Sequence, residues 1–259
     1  MTLIKTILAF ALTIFALVFL LIIGLPAFIL SFLGLRKPMS WAIYLAARSW
    51  ARLLIALTGC TLKVEGKENI PSGEGICFVS NHVGVFDVVL ALAHIGRPFG
   101  FIAKKELLYI PMLNFWIHIL GGLFIDRKNI RKALKTINLG IERIRKGGNM
   151  IIFPEGTRSK GRGLLPFRSG AMKLATQSLA PIVPIAISGS YEVFEKNYLV
   201  QAAAVRMVFC PPIIIADMSS DDRRLHLVNQ VRETIEGALN REQSAGIRDS
   251  GKSGPIPSR

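Results

Sequence analysis

From residue 60 onward, short apolar runs alternate with longer segments in which apolar residues recur at helical spacing. Seven runs have the length and composition of β-strands: TLKVEG, GICFVS, FGFIAK, GLFIDR, NMIIFP, PIVPIAI and VRMVFC. Helix-length stretches separate several of them, at 87–95, 128–146 and 169–179, and a last helix is expected from Asp221 to Asn240. Strands that alternate with helices are typical of an α/β domain, so we predict for 60–240 a largely parallel sheet flanked by helices.

The C-terminal stretch 241–259 lacks this pattern. Its sequence, REQSAGIRDSGKSGPIPSR, is polar and rich in Gly, Ser and Pro. Segments of this composition bury too little apolar surface to offset the entropy lost on folding. We therefore predict a disordered polar tail after the last helix.

Residues 1–59 precede the α/β pattern and differ from it in character. From Ile7 to Leu35 there is no charged residue, whereas a bilayer core needs only ~20 apolar residues in a helix. The run is too long for a signal-peptide core of about 7–15 residues, so we predict a hydrophobic helical membrane anchor. Gly24 and Pro26 interrupt it, which leaves two topologies open. One is a kinked spanning helix, and the other is a helical hairpin held in one leaflet with the stretch 41–57.

The chain is strongly basic and apolar. It has 259 residues, of which 51% are hydrophobic, and 32 Lys and Arg against 17 Asp and Glu give a net charge of +15. A basic surface beside a membrane anchor is attracted to anionic lipids. Nucleic acid is the competing partner, but the sequence has no zinc-finger spacing, no aromatic–basic RNA-binding motif and no recognition-helix pattern. Membrane lipids are therefore the expected partner, and nucleic acid is not.

Two features favour the cytoplasmic face of the inner membrane. Arg36 and Lys37 follow the apolar run directly, and the positive-inside bias then places a catalytic domain downstream of a spanning run in the cytoplasm. The three cysteines, Cys60, Cys77 and Cys210, have no metal-binding or redox spacing and lie in apolar contexts. They are expected to be core residues of a protein in a reducing compartment.

A histidine and an aspartate stand five residues apart in FVSNHVGVFDVV, between a predicted strand and a predicted helix. The turn allows the chain to fold back, so that Asp87 can accept a hydrogen bond from the ring of His82. An aspartate in that position fixes the tautomer of a histidine and stabilises its protonated form. The alternative is an Asp N-cap beside a surface histidine, and the spacing alone does not separate the two.

Cations and a glycine follow three other predicted strands. IAKKEL ends in Lys104 and Lys105, GGLFIDRKN ends its strand with Arg127, and IIFPEGTRS places Gly156 and Arg158 in the turn after a strand. Ligands of α/β sheets bind at the carboxyl ends of the strands. Guanidinium groups and a glycine turn suit a phosphate. Each loop alone is typical of a solvated surface, but several in one domain favour a phosphate site.

Four motifs, taken in order, resemble the sequence blocks of the glycerophospholipid acyltransferases of the 1-acylglycerol-3-phosphate type. They read NHVGVFD, GGLFIDR, FPEGTRS and APIVPIAISGS. The third matches the family's Phe-Pro-Glu-Gly-Thr-Arg-Ser at every position, and AKKELLYIP and GRGLLPFRSGA are also similar to family sequence. The resemblance covers 60–215. One departure is the pair Val83-Gly84, where many members have Gln-Ser or another polar pair.

The resemblance implies a membrane-bound enzyme of phospholipid biosynthesis. It would transfer a fatty acyl group from an acyl thioester to the free hydroxyl of 1-acyl-sn-glycerol-3-phosphate, giving phosphatidic acid. His82 would act as general base on that hydroxyl, with Asp87 orienting it. No serine or cysteine has nucleophile-elbow spacing, so no acyl-enzyme is expected. No metal or other cofactor is implied, and acyl-CoA or acyl carrier protein would be the co-substrate.

The resemblance also implies a binding site for the phosphate of the acceptor. Lys104, Arg127 and Arg158 would hold this phosphate, and Gly156 would allow its close approach to the backbone. Glu155 would orient an arginine or an acceptor hydroxyl.

Three other functions remain open. The acceptor could be another lysolipid, such as lyso-ornithine lipid, and the Val83-Gly84 departure keeps this alternative in view. A hydrolase could use the same His–Asp pair with water in place of the acceptor. A non-catalytic, membrane-anchored lipid-binding protein would also be basic and amphipathic, although it would have no use for the ordered motifs.

Overall fold

The computed structural model describes residues 1–31, 36–215, 218–219 and 226–250, and a sheet of seven strands forms its centre. In chain order the strands are β1 (Thr61–Glu65), β2 (Cys77–Ser80), β3 (Phe99–Lys104), β4 (Leu123–Ile125), β5 (Asn149–Ile152), β6 (Ile182–Ser188) and β7 (Ala204–Phe209). Their order across the sheet is β1-β7-β6-β2-β5-β3-β4. Each apolar run that we interpreted as a strand contains one, so that prediction is confirmed.

The sheet is largely parallel, as predicted. Strands β6 and β7 pair antiparallel, and the other described neighbours pair parallel. Strand β2 lies between β5 and β6, and its residues Cys77, Phe78 and Val79 have no exposed surface. Parallel strands covered on both faces consist of nearly continuous apolar residues. This explains why GICFVS lacks the polar–apolar alternation of a strand at a surface.

Helices cover both faces of this sheet. They are α1 (Thr2–Ser31), α2 (Arg36–Thr58), α3 (Phe86–His94), α4 (Leu113–Ile119), α5 (Ile130–Arg145), α6 (Ser169–Ser178) and α7 (Leu227–Ser250). Helices α2 and α3 contribute to the core on one face, and α5, α6 and α7 contribute to the core on the other. On α5 the buried residues Ile137, Ile141 and Ile144 follow the helical spacing that predicted this element.

The C-terminal tail differs from the prediction. Helix α7 begins at Leu227 and continues to Ser250, so the stretch 241–250 is helical rather than disordered. Its first residues, Arg241, Glu242 and Gln243, are good helix formers that extend the preceding turns. The Gly, Ser and Pro residues that suggested disorder are concentrated in 251–259, which lies outside the described residues.

The N-terminal helices α1 and α2 pack against each other, and both contribute to the core of the α/β domain. On α1, Ala9 is buried and the Thr6 hydroxyl accepts a hydrogen bond from the Val200 amide at 2.8 Å. Within the part of the chain that the structure describes, no helix has both the length and the apolar character needed to cross a bilayer. The predicted transmembrane helix is therefore not found among these residues, and 32–35, at the end of the apolar run, lie outside them.

The cysteines behave as the sequence predicted for core residues. Cys77 and Cys210 are buried, Cys60 is half-buried, and all three are free thiols. Burial raises the pKa of the Cys210 thiol to about 11, so this group stays protonated near neutral pH.

Candidate active site

His82 and Asp87 lie side by side at the carboxyl end of the central strand β2. The chain leaves β2 at Ser80, places His82 in the following turn and brings Asp87 into the first turn of α3. The ring Nδ1 of His82 lies 2.7 Å from Oδ2 of Asp87. The N-cap of α3 is Val85, with no side-chain cap. The alternative of an Asp N-cap beside a surface histidine is therefore wrong.

Four groups donate hydrogen bonds to the carboxylate of Asp87, which is fully buried. Its Oδ2 accepts from the amides of Val83 and Gly84 at 2.7 and 3.0 Å, as well as from the His82 ring. Its Oδ1 accepts from the Ser190 hydroxyl. A buried carboxylate with this many hydrogen-bond donors is fixed in place. It can therefore hold the imidazole in one orientation, with Nε2 left as the ring nitrogen for substrate.

The third motif, FPEGTRS, supports His82 from the other side. The Phe153 ring stacks on the imidazole with their centroids 4.3 Å apart. The buried carboxylate of Glu155 accepts from the His82 amide at 2.7 Å and from the Leu165 amide at 3.1 Å. Burial raises the pKa of Glu155, and the two amide donors oppose that shift. The resemblance implied that Glu155 orients an arginine or an acceptor hydroxyl. Its carboxylate oxygens instead accept hydrogen bonds from two backbone amides.

The turns of the first and third motifs are also joined through their backbones. The Ser159 amide donates to the His82 carbonyl at 2.7 Å, and the Lys160 amide donates to the Val83 carbonyl at 3.0 Å. These bonds link two segments far apart in sequence at the edge where β2 and β5 end. His82 is therefore held through its ring, its amide and its carbonyl, which makes a preorganised base.

Two arginine side chains contact the turn that contains Gly156. Arg127 Nη1 donates to the Gly156 carbonyl, and Arg168 Nε donates to the neighbouring Glu155 carbonyl at 3.2 Å. Gly156 has φ of +68°, and a Cβ there would lie 2.8 Å from Arg168 Nε. This left-handed backbone conformation favours a glycine, and a Cβ here would displace the Arg168 side chain from the turn.

The side chain of Arg158 contacts a different group, the carboxylate of Glu195. Its Nη1 bonds to Oε1 of Glu195 at 2.6 Å, and Oε2 of Glu195 accepts from the Val85 amide in the turn after His82. A Cβ on Gly84 would lie 2.8 Å from that Oε2. The departure at Gly84 therefore has a structural reason, because a larger residue would disturb the contact between Glu195 and the turn.

Lys104 ends β3 with its side chain 58% exposed, and its nearest described carboxylate partner is Glu106 at 3.6 Å. The next residue, Lys105, pairs with Asp126 at 2.8 Å, and this bond lowers the pKa of Asp126. Lys104 does not line the cavity that contains His82, whereas Arg127 and Gly156 do. Of the predicted phosphate ligands, the structure thus brings Arg127 and Gly156 together with His82.

This cavity, of about 400 Å³, combines an apolar wall with a basic rim. Ile102, Ile125, Ile137 and Ile152 contribute to its wall, from β3, β4, α5 and β5 respectively. His82, Arg127, Arg168 and Lys173 are the charged and titratable residues of its lining. An apolar chain can bind in such a cavity while an anionic group contacts the rim.

Four residues at this site were missed by the sequence reasoning. Asn81 exchanges two 2.8 Å hydrogen bonds with the backbone of Ile187 on β6 and so fixes the end of β2. The others are Ser190, Glu195 and Arg168. Asn81 and Ser190 belong to the first and fourth motifs, and Arg168 lies in the family-like segment GRGLLPFRSGA, so these three could have been found there. Glu195 lies outside these segments and has no such signal.

The remaining histidines lie away from this site. His94 is half-buried at the end of α3, 3.2 Å from Lys67 Nζ, and burial followed by the charge of Lys67 lowers its pKa to about 4. It is therefore neutral near pH 7. Among the described residues, no three His, Cys, Asp or Glu side chains converge as a metal-ligand set.

Comparison with known proteins adds a family to this geometry. The model of the acyltransferase family matches residues 61–188. The chain is 28% identical over 192 residues to a 1-acyl-sn-glycerol-3-phosphate acyltransferase of Borreliella burgdorferi, covering 74% of this chain and 77% of that protein. It is 34% identical over 166 residues to the Escherichia coli protein of the same name, covering 63% and 67%.

A solved structure extends the similarity to nearly the whole chain. The crystal structure of the 1-acyl-sn-glycerophosphate (LPA) acyltransferase PlsC from Thermotoga maritima superposes with a TM-score of 0.77 at 26% identity. The match covers 94% of this chain and 98% of that one. It therefore includes the N-terminal helices as well as the α/β domain.

Proposed function

This chain belongs to the family of 1-acyl-sn-glycerol-3-phosphate acyltransferases, and we propose that it moves a fatty acyl group from an acyl thioester to the free hydroxyl of 1-acyl-sn-glycerol-3-phosphate. The product is phosphatidic acid, formed in phospholipid biosynthesis. The observation that carries this proposal is the His82–Asp87 pair, which lies at the basic rim of an apolar cavity. A single cavity thus combines a general base, basic residues suited to an anion and an apolar lining suited to an acyl chain.

In the proposed reaction the acceptor is its own nucleophile. His82 Nε2 takes the proton of the acceptor hydroxyl while the hydroxyl oxygen forms a bond to the thioester carbonyl carbon. Asp87 holds the ring and stabilises its protonated form through the bond to Nδ1. The carbon–sulfur bond then breaks, and the leaving thiolate receives the proton from His82. The protein ends the cycle unchanged, with an ester and a free thiol as products.

The residues predicted for the phosphate site take different roles in this proposal. Arg127 and Gly156 line the His82 cavity and are suited to direct contact with the acceptor phosphate. Lys104, exposed at the end of β3, would add attraction at longer range. Glu155 would hold His82 through its amide rather than contact substrate.

The donor is proposed to be acyl-CoA or an acyl carrier protein. The apolar wall of the cavity runs between α5 and the sheet and supports binding of a fatty acyl chain there. Burial of each methylene in such a wall contributes about 0.8 kcal/mol. Either donor presents the same thioester to His82.

We propose that the protein binds to the cytoplasmic face of the inner membrane through α1 and α2. Large apolar side chains of these helices are exposed, among them Ile14, Phe15, Trp41 and Leu45. Arg48 and Arg52 lie one turn apart on α2. Apolar residues that enter the acyl boundary, with basic residues at the level of the headgroups, are typical of helices that lie in one leaflet.

The double substitution Ile14→Asp with Phe15→Asp is expected to reduce binding to anionic vesicles by about 10–100-fold, because it removes two apolar side chains and adds two negative charges. Vesicle flotation measures the bound fraction. Leu139→Asp, at another exposed leucine on α5, is the control and should float like the native protein. Unchanged flotation of the double variant would contradict membrane binding through α1.

The acceptor is identified by turnover. Purified membranes carrying the protein should acylate 1-acyl-sn-glycerol-3-phosphate at least 10-fold faster than lyso-ornithine lipid, because Arg127 contacts a phosphate that only the first acceptor carries. Product formation is followed by mass spectrometry with a labelled acyl thioester. Turnover of lyso-ornithine lipid alone would be consistent with the proposed roles of His82 and Asp87. It would contradict the assignment of a phosphate-bearing acceptor.

A further inference from the structure

We propose that Arg168, which lies outside the FPEGTRS motif, is the second guanidinium of the phosphate site and acts together with Arg127. The ligand is the phosphate monoester of the acceptor, so the inference rests on the proposed function and adds a residue to it. Arg158 is assigned a different task, that of positioning the turn after His82.

The geometry places Arg127 and Arg168 on one short piece of backbone. They donate to the consecutive carbonyls of Gly156 and Glu155, and both line the cavity that contains His82. Each guanidinium has five N–H donors, so each keeps further donors after bonding a carbonyl. The two groups therefore form a pair of forks beside the catalytic ring, which suits the tetrahedral oxygens of a phosphate.

Among the described residues, neither arginine of this pair forms an ion pair with a carboxylate. Burial lowers the pKa of Arg127, the neighbouring charge of Arg168 lowers it further, and the carboxylate of Glu106 opposes these effects more weakly. Lys173 adds a third cation to the cavity, and none of the described residues that line it is acidic. Like charges held together are destabilising unless an anion binds between them. A dianionic phosphate monoester supplies that anion.

Helix α6 contributes to the same site. Arg168 occupies its N-cap position, and Gly170 and Ala171 in its first turn line the cavity. A Cβ on Gly170 would meet nothing within 4 Å, so this turn is open toward the cavity. The positive end of the helix dipole therefore adds to the field of the two arginines at this point.

Arg158 is occupied by the protein itself. Its bond to Glu195 connects it to a carboxylate that is 11% exposed and that also accepts from the Val85 amide. Unlike Arg127 and Arg168, it is not among the residues that line the His82 cavity. A phosphate that engaged Arg158 would have to displace Glu195 and leave this carboxylate half-paired, which is costly.

Steady-state kinetics of Arg168→Gln test the proposal. The KM for 1-acyl-sn-glycerol-3-phosphate is expected to rise about 10–100-fold, as for loss of a charge-assisted hydrogen bond, with a smaller change in kcat. The KM for the acyl thioester should change less than threefold. Arg168→Lys, which keeps the charge but loses the fork, should recover part of the loss. Arg131→Gln removes the same charge from an exposed groove on α5 and should behave like the native enzyme.

A second readout does not depend on turnover. Glycerol 3-phosphate carries the phosphate without an acyl chain, and it should protect the native protein against thermal unfolding. Protection should weaken in Arg168→Gln and persist in Arg131→Gln and Arg158→Gln. This comparison also identifies a variant that fails only because it is unstable, since its melting temperature is measured without ligand.

The outcomes separate the possibilities. A rise in the acceptor KM for Arg158→Gln but not for Arg168→Gln would overturn the assignment of Arg168. An effect of Arg168→Gln on the donor KM alone would also overturn it, because the anion bound by Arg168 would then be a phosphate of the donor. If the native protein acylates no phosphate-bearing acceptor, the proposed function itself fails. A native protein that is active while Arg168→Gln leaves both KM and protection unchanged would refute only the role of Arg168.

Discussion

Replacing His82 by alanine is expected to lower kcat for acyl transfer by about 10²–10⁴-fold, the range that a positioned general base contributes. The ring lines the cavity, where it is oriented by Asp87 and stacked on Phe153. Alanine keeps the amide that bonds Glu155, so the turn should survive. The measurement is turnover of labelled acyl thioester in membranes of matched protein content.

The matched control for this variant is His226→Ala, at an exposed residue just before α7, which should retain native turnover. Three results would contradict the proposed acyltransferase function. Acyl transfer that does not depend on His82 would contradict the catalytic role. Retained lipid-dependent function without any turnover would favour a lipid-binding protein. His82-dependent release of free fatty acid without an acceptor would identify a hydrolase.

The substitution Asp87→Asn is expected to lower kcat by a similar factor, about 10²–10⁴-fold, while KM changes little. An amide at this position no longer stabilises the protonated ring, and its NH₂ group can stabilise the wrong tautomer of His82. It also weakens the bonds to the amides of Val83 and Gly84, so some loss of stability is expected. Turnover and the melting temperature should be measured on the same preparation.

Ser190→Ala separates these two effects. It removes one donor to the carboxylate but leaves the bond between His82 and Asp87 in place. Its kcat should fall less than about 10-fold, because the hydroxyl is one of four donors to this carboxylate and the other three remain. If Ser190→Ala loses as much activity as Asp87→Asn, the carboxylate acts mainly by holding the turn, and its role in orienting the histidine is contradicted.

The fold could be predicted well from the sequence because its elements are defined by local pattern. Strands such as β2 and β6 are buried on both faces and therefore consist of apolar runs, and α5 repeats its apolar residues at helical spacing. The composition of 241–259 as a whole is misleading, because its two parts differ. Its first part continues α7 because that part contains good helix formers.

The N-terminal helices show where local pattern is insufficient. A long apolar run predicts burial of its side chains, but the same pattern serves a spanning helix and a helix packed on a domain. The contact of Thr6 with Val200 joins residues 194 positions apart. Local sequence contains no trace of such a contact, so only the packed structure reveals it.

The sequence by itself determined the α/β fold and placed His82 and Asp87 on either side of one short turn, but their spacing left open whether the two side chains pair. The tertiary structure decided which charges share the cavity with that pair. Arg158 directly follows the family's Glu-Gly-Thr, yet Glu195 takes it out of the cavity, and Arg168 takes the place beside Arg127. Ser190 reaches Asp87 across 103 residues. Such contacts depend on how the sheet and helices pack, since side chains distant in sequence meet only after burial has fixed the whole arrangement.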